Sequence, residues 1–443
     1  MTFSKKKWLD AARAQMQKCG WRLSMTVSLS FVLLTIFFCV YDRSYLDSAM
    51  TMLDSQFTPL LPSSQKVDDG ATTAAGIIIP PLTSSQTSSS SSSVGLSNPP
   101  PLFPGCNIYD GQWVYDESYP LYTDCSFAEM DFQCHRNGRP DHYYQKWRWQ
   151  PYECTLPRFD AKDILARLNG LRVVFVGDSM GRTQWESLNC LLLQGVSNKA
   201  SVTFVHGPIT KQNPYIGTTF RDHNVSIDYY RSPHIVAQGG DVPNNAPNRV
   251  LSTLRLQKID KELAKNFANA DVLLLNSGHW WTSQKTYDVG LYFQVDNKVV
   301  LGLPVIAAFK QAMSTITSWV SKHINFNKTE VFFRSIEPAH WELNMADQPY
   351  SKISNPQDYP RAAILKEAVD TMQAPAMILN VTSLSAFRPD GHVFNWTTHK
   401  IMDCSHWCLP GVPDTWNELL YASLLLRGRG VWGSRNGTDS YRK

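Results

Sequence analysis

The sequence has little net charge and no cysteine pattern that binds a metal. Its 443 residues carry a formal net charge of +4, and the first 22 residues alone contain six basic residues and one acidic residue. The rest of the chain is therefore nearly neutral, which excludes the strongly basic face that nucleic-acid binding requires. No CxxC pair is followed by a second CxxC pair or by paired histidines, so we expect no metal site.

One uncharged segment near the N-terminus, Leu23 to Tyr41, has about the length that crosses a bilayer. A cleaved signal peptide is the alternative, but its apolar part is usually shorter and small residues follow it. The next residues here, Asp42 and Arg43, offer no such cleavage site. Because basic residues precede the segment and few follow it, we expect a cytoplasmic tail (1–22), a transmembrane signal anchor (23–41) and a lumenal body, in a single-pass type II arrangement.

The lumenal part begins with a low-complexity segment. Residues 42–102 are rich in serine, threonine, proline and glycine, and Ser88 to Ser93 form an unbroken serine run. Such a composition cannot bury enough apolar surface to fold, so we predict a disordered stem that holds the body away from the membrane. Five Asn-x-Ser/Thr sequons fit a glycosylated lumenal protein, namely Asn224, Asn327, Asn380, Asn395 and Asn436.

Residues 103–159 combine four cysteines with many aromatic residues and show almost no helical periodicity. Because the lumen is oxidising, cysteines there can form disulfides. We predict a small disulfide-stapled subdomain that packs as a lid on the main domain. Exposed aromatic rings in it could also stack on sugar rings, and the two interpretations are compatible.

From residue 160 to residue 443, apolar strands alternate with long helical segments. The strand candidates are Leu171–Val176, Ser201–Val205, Val225–Tyr230, Asp271–Leu275, Glu330–Arg334 and Ala376–Asn380. The helical candidates are Met180–Gln194, Thr253–Phe267, Val305–His323, Arg361–Thr371 and Pro413–Leu426. This alternation predicts an α/β fold in which a mostly parallel sheet forms the middle of three layers.

The first of these strands ends abruptly in Gly177-Asp178-Ser179, and helical spacing follows at once. A serine in such a turn has its backbone NH at a helix N-terminus, where partial positive charge favours an oxyanion, and its hydroxyl at the carboxyl edge of the sheet. Ser179 is therefore a candidate nucleophile, provided that a histidine and an acid accompany it. The alternative is an ordinary helix N-cap serine.

Two later segments could complete such a site. Asn276 directly follows the strand candidate Asp271–Leu275, where its amide could donate to an oxyanion, although an Asx turn is an equal alternative. Asp403 and His406 lie three residues apart, a spacing that can bring carboxylate and imidazole to one side of a loop. The rival acid–base pair, Asp390 and His392, lies in what looks like an ordinary Pro-Asp-Gly turn, and we rank it second.

Four motifs in order, NGRPD with YQKWRWQPYECTLPRF, GDSMGRTQWESL, NSGHWW and DCSHWCLPGVPDTWNELL, resemble the plant trichome birefringence-like family. Members of that family are Golgi-anchored O-acetyltransferases of cell-wall polysaccharides with a GDSL/SGNH-hydrolase-like domain. The resemblance covers the chain from about Cys106 to the C-terminus. It implies an SGNH-like fold, a Golgi location and a polysaccharide acceptor of the xylan or pectin class, with features closer to the pectic branch.

Carried over by motif, the resemblance implies a catalytic triad of Ser179, His406 and Asp403. Ser179 would take an acetyl group from a donor, for which acetyl-CoA is the obvious candidate, and a sugar hydroxyl would then attack the acyl-enzyme. Asn276 and the Ser179 NH would hold the oxyanion. The candidate substrate-binding residues are Arg182, Trp280 and Trp281.

The resemblance also implies three disulfides, which join Cys106 to Cys154, Cys125 to Cys190 and Cys134 to Cys408. The family's mid-chain cysteine is missing, because SIEPAHWELNMADQ replaces a glycine-rich loop, so Cys404 is expected to stay unpaired. The leading hypothesis is thus a polysaccharide O-acetyltransferase that needs no bound cofactor. Two alternatives remain, a polysaccharide acetyl esterase and a non-catalytic wall-polysaccharide-binding protein.

Overall fold

The structure is a computed structural model that describes residues 100–205, 213–239, 242, 247, 249–340, 349–350, 359–394, 402–428 and 430–432. The predicted cytoplasmic tail, the predicted anchor and nearly all of the predicted stem lie outside these residues, as do the sequons at Asn395 and Asn436. Within the described ranges, none of the helices combines the length and the apolar composition that crossing a bilayer requires.

The described residues form strands and helices in an alternating order. The strands are β1 Gly111–Tyr115, β2 Trp147–Pro151, β3 Arg172–Gly177, β4 Val202–Val205, β5 Tyr215–Phe220, β6 Val225–Arg231, β7 Val236–Gln238, β8 Ser252–Ile259, β9 Val272–Leu275, β10 Leu291–Val295, β11 Lys298–Val299, β12 Glu330–Arg334, β13 Met377–Leu379, β14 His392–Phe394 and β15 Met402–Trp407. The α-helices are α1 Ala161–Arg167, α2 Ser179–Leu192, α3 Lys261–Phe267, α4 Val305–His323, α5 Pro360–Asp370, α6 Thr382–Ala386 and α7 Val412–Arg427.

Seven of these strands form the central sheet, in the order β13-β12-β9-β3-β6-β5-β4. Neighbours from β13 to β6 pair in parallel, whereas β5 pairs antiparallel with both β6 and β4. The predicted mostly parallel sheet is confirmed, and all six strand candidates belong to it. Strand β5 was not predicted, because its sequence YIGTTF lacks a long apolar run.

The central sheet separates two hydrophobic cores. Side chains alternate along β3, so Val173 and Phe175 enter one core while Val174 and Val176 enter the other. Helices α2 and α7 pack against each other in the first core, and α4 packs against α5 in the second. The predicted three-layer α/β architecture is therefore confirmed.

The predicted helix over Thr253–Phe267 is wrong in its first half. Residues 252–259 form β8, and helix α3 begins only at Lys261. Along β8, Leu254 and Leu256 both face the second core, which is the two-residue period of a strand. Strand β8 belongs to a second sheet of order β11-β10-β8-β7, in which it pairs in parallel with β10.

The N-terminal subdomain is a short β-hairpin, β1 with β2, surrounded by irregular chain. One disulfide, Cys106–Cys154, lies within it. Two others, Cys125–Cys190 and Cys134–Cys408, attach it to α2 and to the chain just after β15. All three expected pairs are confirmed, and Cys404 is a free thiol as expected.

Buried side chains of the subdomain also contact helix α7. The Tyr119 hydroxyl donates to Glu418 at 2.6 Å, and the Tyr122 hydroxyl donates to Asp414 at 2.9 Å. Because these groups are buried, each polar atom needs such a partner. The subdomain is thus packed onto the main domain through covalent, apolar and polar contacts at once.

Candidate active site

The turn between β3 and α2 presents Ser179 at the first position of the helix. Asp178 is the N-cap, and its carboxylate accepts from the Met180 NH at 3.0 Å. The interpretation of Ser179 as the cap is therefore wrong, and its hydroxyl is available for another partner. A glycine is needed at Gly177 and at Gly181, because a Cβ on either would lie 2.0 Å from the Asn276 amide oxygen.

Strand β15 carries the acid and the base. His406 Nε2 lies 2.8 Å from Ser179 Oγ, and His406 Nδ1 lies 2.6 Å from Asp403 Oδ2. The other carboxylate oxygen, Asp403 Oδ1, accepts from the NH groups of Ser405 and His406, each at 3.0 Å. The structure thus joins three side chains, from positions 227 residues apart, into one hydrogen-bonded chain.

The electrostatics of the three hydrogen-bonded side chains favour an ionised Asp403. Burial by itself raises the pKa of Asp403, but the hydrogen bond and charge of His406, together with the two backbone NH groups, lower that pKa below its ordinary value. A carboxylate that stays ionised can orient the imidazole and stabilise its protonated form. Ser179 and His406 are only partly buried, so a substrate can reach the hydroxyl.

Neighbouring groups hold the histidine in place. The ring of Phe132, from the N-terminal subdomain, stacks on His406 with 5.4 Å between centroids. His392 Nδ1 donates to the backbone carbonyl of His406 at 2.8 Å. The backbone NH of His340 donates to the backbone carbonyl of Cys404 at 3.0 Å. Burial lowers the pKa of His392 to about 3, so this side chain remains neutral at physiological pH. The base is therefore fixed from both sides of β15.

Asn276 lies against the same turn. It follows β9, the strand next to β3, and its Nδ2 donates to Asp178 Oδ1 at 2.6 Å. A carboxamide has a second NH hydrogen on the same nitrogen, which leaves one donor for an oxyanion. The oxyanion role of Asn276 and of the Ser179 NH stays a prediction.

The substrate-binding role predicted for Arg182 and Trp281 is wrong, because both side chains lie in the interior. Arg182 is 4% exposed and forms ion pairs with Glu129 and with Glu186, so it joins the subdomain to α2. Trp281 is 0% exposed and belongs to the second core. Trp280 is only partly buried, so its binding role stays a prediction.

The rival pair after α6 does not form an acid–base unit. Both carboxylate oxygens of Asp390 accept from the guanidinium of Arg388, each at 2.8 Å. His392 instead contacts His340 and the backbone of β15. Asp390 therefore has a structural partner, which agrees with ranking this pair second.

A polar group beside the triad was not found in the sequence analysis. His279 Nε2 lies 3.1 Å from Glu337 Oε1, and Arg334 also contacts the Glu337 carboxylate. Burial raises the pKa of Glu337, but the charges of Arg334 and His279 outweigh it and lower that pKa to about 2. His279 and Glu337 each lie a few residues beyond a parallel strand, so the rule that located Asn276 would also have located them.

These two residues line a cavity of about 670 Å³ that also borders Ser405. It opens at the carboxyl ends of β9 and β12, next to the segment that carries the triad acid and base. In the part of the chain that the structure describes, no group of three or more His, Cys, Asp or Glu side chains is arranged to hold a metal ion. The chemistry that Ser179, His406 and Asp403 can perform together is acyl transfer through a serine.

Comparison with known proteins agrees with this geometry. A family model described as a GDSL/SGNH-like acyl-esterase family found in Pmr5 and Cas1p, the PC-esterase, matches residues 156–423. The model of the PMR5 N-terminal domain matches residues 104–155.

The chain is also similar over most of its length to curated proteins of Arabidopsis thaliana. It is 46% identical to trichome birefringence-like protein 7 over 323 residues, which are 71% of this chain and 72% of that protein. It is 38% identical to trichome birefringence-like protein 4, over 72% of this chain and 75% of that protein. The chain belongs to the trichome birefringence-like family and contains a GDSL/SGNH-like acyl-esterase domain.

Proposed function

We propose that this protein transfers acetyl groups onto hydroxyls of cell-wall polysaccharides through an acetyl-enzyme on Ser179. The observation that carries the proposal is the hydrogen-bonded chain from Ser179 Oγ through His406 to Asp403, with distances of 2.8 and 2.6 Å. A serine hydroxyl is a weak nucleophile unless an oriented base accepts its proton, and this chain supplies that base.

The reaction takes place in two steps. Ser179 Oγ attacks the acetyl carbonyl of the donor while His406 Nε2 takes its proton, and the leaving group then receives that proton as it departs. A sugar hydroxyl next gives its proton to His406 and attacks the acetyl carbonyl of the acetyl-enzyme; the bond to Ser179 Oγ then breaks, and His406 returns the proton to Oγ. The Ser179 NH, at the N-terminus of α2, and the Asn276 amide would stabilise the oxyanion in both steps.

Hydrolysis is the second candidate function, because water could replace the sugar hydroxyl in the second step. Its support is the accessibility of the site, since Ser179 and His406 are only partly buried. The donor we propose is acetyl-CoA and the acceptor class is xylan or pectin. We further propose a Golgi location with the catalytic part in the lumen, on the strength of the sequence-predicted anchor and the disulfides.

The test compares acetyl gain with acetyl release on one polysaccharide supplied with a labelled donor. We expect acetyl gain for the wild type, and a loss of about 10³-fold or more for Ser179→Ala. The matched control is Ser314→Ala, at an exposed position on α4, which should keep the wild-type rate. Release without gain would favour the esterase, and an active Ser179→Ala variant would contradict both functions.

A further inference from the structure

The cavity beside the triad is lined by positively charged side chains that form no ion pair among the described residues. Its lining includes Lys285 and Arg361, and His279 contributes from the end of β9. None of the ion pairs formed among the described residues includes Lys285 or Arg361. We propose that this cavity is a subsite for an anionic group, a carboxylate or a phosphate, carried by one of the two substrates of the proposed transfer. This inference rests on that proposed function.

Arg361 is the central residue of the proposed subsite. One guanidinium nitrogen, Nη2, donates to the Trp281 carbonyl at 2.6 Å, which fixes the direction of the side chain. Its Nε is buried and has no acceptor among the described residues. Nη2 is the one guanidinium nitrogen of Arg361 that has an acceptor among the described residues, so the part of the guanidinium that lines the cavity can donate to a bound carboxylate or phosphate oxygen.

The start of helix α5 adds to the positive character. The helix begins at Pro360, and Pro360, Arg361 and Ala362 all line the cavity. Its first turn holds no acidic residue, so nothing in the helix itself neutralises the partial positive charge of its N-terminus. Pro360 has no NH, and the NH groups of Ala362 and Ala363 donate to the Tyr359 carbonyl, which leaves the Arg361 NH of this turn for an anion.

Among the described residues that line the cavity, Glu337 is the one acidic side chain, and it does not cancel this charge. Glu337 is fully buried and contacts both Arg334 and His279. The neighbouring Glu337 charge raises the pKa of His279 despite the opposing effect of burial. The Arg334 cation alone already balances the Glu337 carboxylate, so Lys285 and Arg361 leave the cavity lining with an excess of positive charge.

Two contacts between a cation and an aromatic ring extend the positive surface beside the cavity. Arg231 and Lys285 both lie over the ring of Trp280, at 5.0 and 5.1 Å from its centroid. Lys285 thus joins the cavity to an adjoining aromatic ring and a further cation, a combination that suits a sugar acid. The same cations would suit the phosphates of an acyl donor such as acetyl-CoA. Both sources present the shared chemistry of an oxyanion, and binding experiments separate them.

The experiment measures binding rather than turnover, by calorimetry on the purified full-length chain with Ser179→Ala as the background. One arm compares an oligomer of galacturonic acid with an oligomer of xylose of equal length. The other arm compares coenzyme A with pantetheine, which lacks the phosphates. We expect one of the two anionic ligands to bind, and its affinity to fall with added salt.

Three substitutions in that background locate the subsite. Lys285→Gln, at an exposed position, and Arg361→Gln should each weaken binding of the anionic ligand by about tenfold, the effect of one charge-assisted hydrogen bond. Arg361→Lys should recover part of the affinity. Lys322→Gln, at an exposed position on α4, is the matched control and should change nothing.

The results separate this inference from the proposed function. A loss confined to the sugar acid assigns the subsite to the acceptor, and a loss confined to coenzyme A assigns it to the donor. The inference is overturned if neither anionic ligand binds, or if the substitutions leave anionic binding unchanged or weaken the neutral counterparts equally. Because the readout is binding, these outcomes can be interpreted even if Ser179 transfers no acetyl group.

Discussion

We expect the buried Glu418 on α7 to make the protein less stable as pH rises. Its carboxyl is buried and accepts from the Tyr119 hydroxyl of the N-terminal subdomain. Burial raises the pKa of Glu418 from 4.5 to about 7, and it raises the pKa of nearby Asp414 to about 6. The folded chain therefore keeps protons that the unfolded chain releases.

The sign of the effect follows from linkage. Between about pH 4.5 and pH 7 the unfolded state binds fewer protons than the folded state, so the free energy of unfolding falls as pH rises. Below this window the stabilising contribution of the protonated carboxyl is fully present, and above the window that contribution is lost completely. For Glu418 alone, a rise of its pKa from 4.5 to about 7 corresponds to about 3 kcal/mol.

Glu418→Gln tests this value, because the amide keeps an oxygen that can accept from Tyr119 but cannot ionise. Urea unfolding, followed by tryptophan fluorescence with the disulfides intact, would be measured on both sides of the window. The wild type should lose more stability with rising pH than the variant, by about 3 kcal/mol. The exposed Glu262→Gln is the control. If Glu418→Gln keeps the full pH dependence of the wild type, the reasoning is refuted.

Three further changes test other parts of the structure. Asp403→Asn should lower kcat for acyl transfer by about 10³-fold or more, because the amide cannot orient and stabilise the protonated His406; a near-normal kcat would contradict the triad. Arg182→Ala should destabilise the chain by about 3 to 5 kcal/mol in urea unfolding, since it leaves Glu186 buried without its cation, whereas an effect below about 1 kcal/mol would contradict a structural role. Cys404→Ser should lower the number of thiols titrated in the denatured, unreduced chain by one, and an unchanged number would place Cys404 in a disulfide.

The central sheet could be predicted because its parallel strands are buried on both faces. Val173 to Val176 form a continuous apolar run, which is typical of such strands. Strand β5 lies near the antiparallel edge and contains Gly217 and two threonines, so its hydrophobic signal is weak. Strand β8 was assigned to a helix because it leads directly into α3, although Leu254 and Leu256 follow the two-residue period of a strand and β8 pairs with β10.

The candidate triad could be predicted because each part is local in sequence. Ser179 follows its strand directly, and Asp403 lies three residues from His406. Burial is a tertiary property, and this is why Arg182 and Trp281 were assigned to substrate binding although both lie in the interior. His279 and Glu337 each follow a parallel strand, as Asn276 does, but their contact joins positions 58 residues apart, so only the fold shows that they form a pair.

The central claim is that Ser179 Oγ carries the acetyl group during transfer. The most direct test mixes the protein with an acetyl donor, quenches the reaction in acid and examines the peptide that contains Ser179 by mass spectrometry. We expect acetyl on Ser179 that disappears when polysaccharide acceptor is added, and no acetyl on the corresponding peptide of Ser179→Ala. Acetyl transfer at the wild-type rate by Ser179→Ala would contradict it.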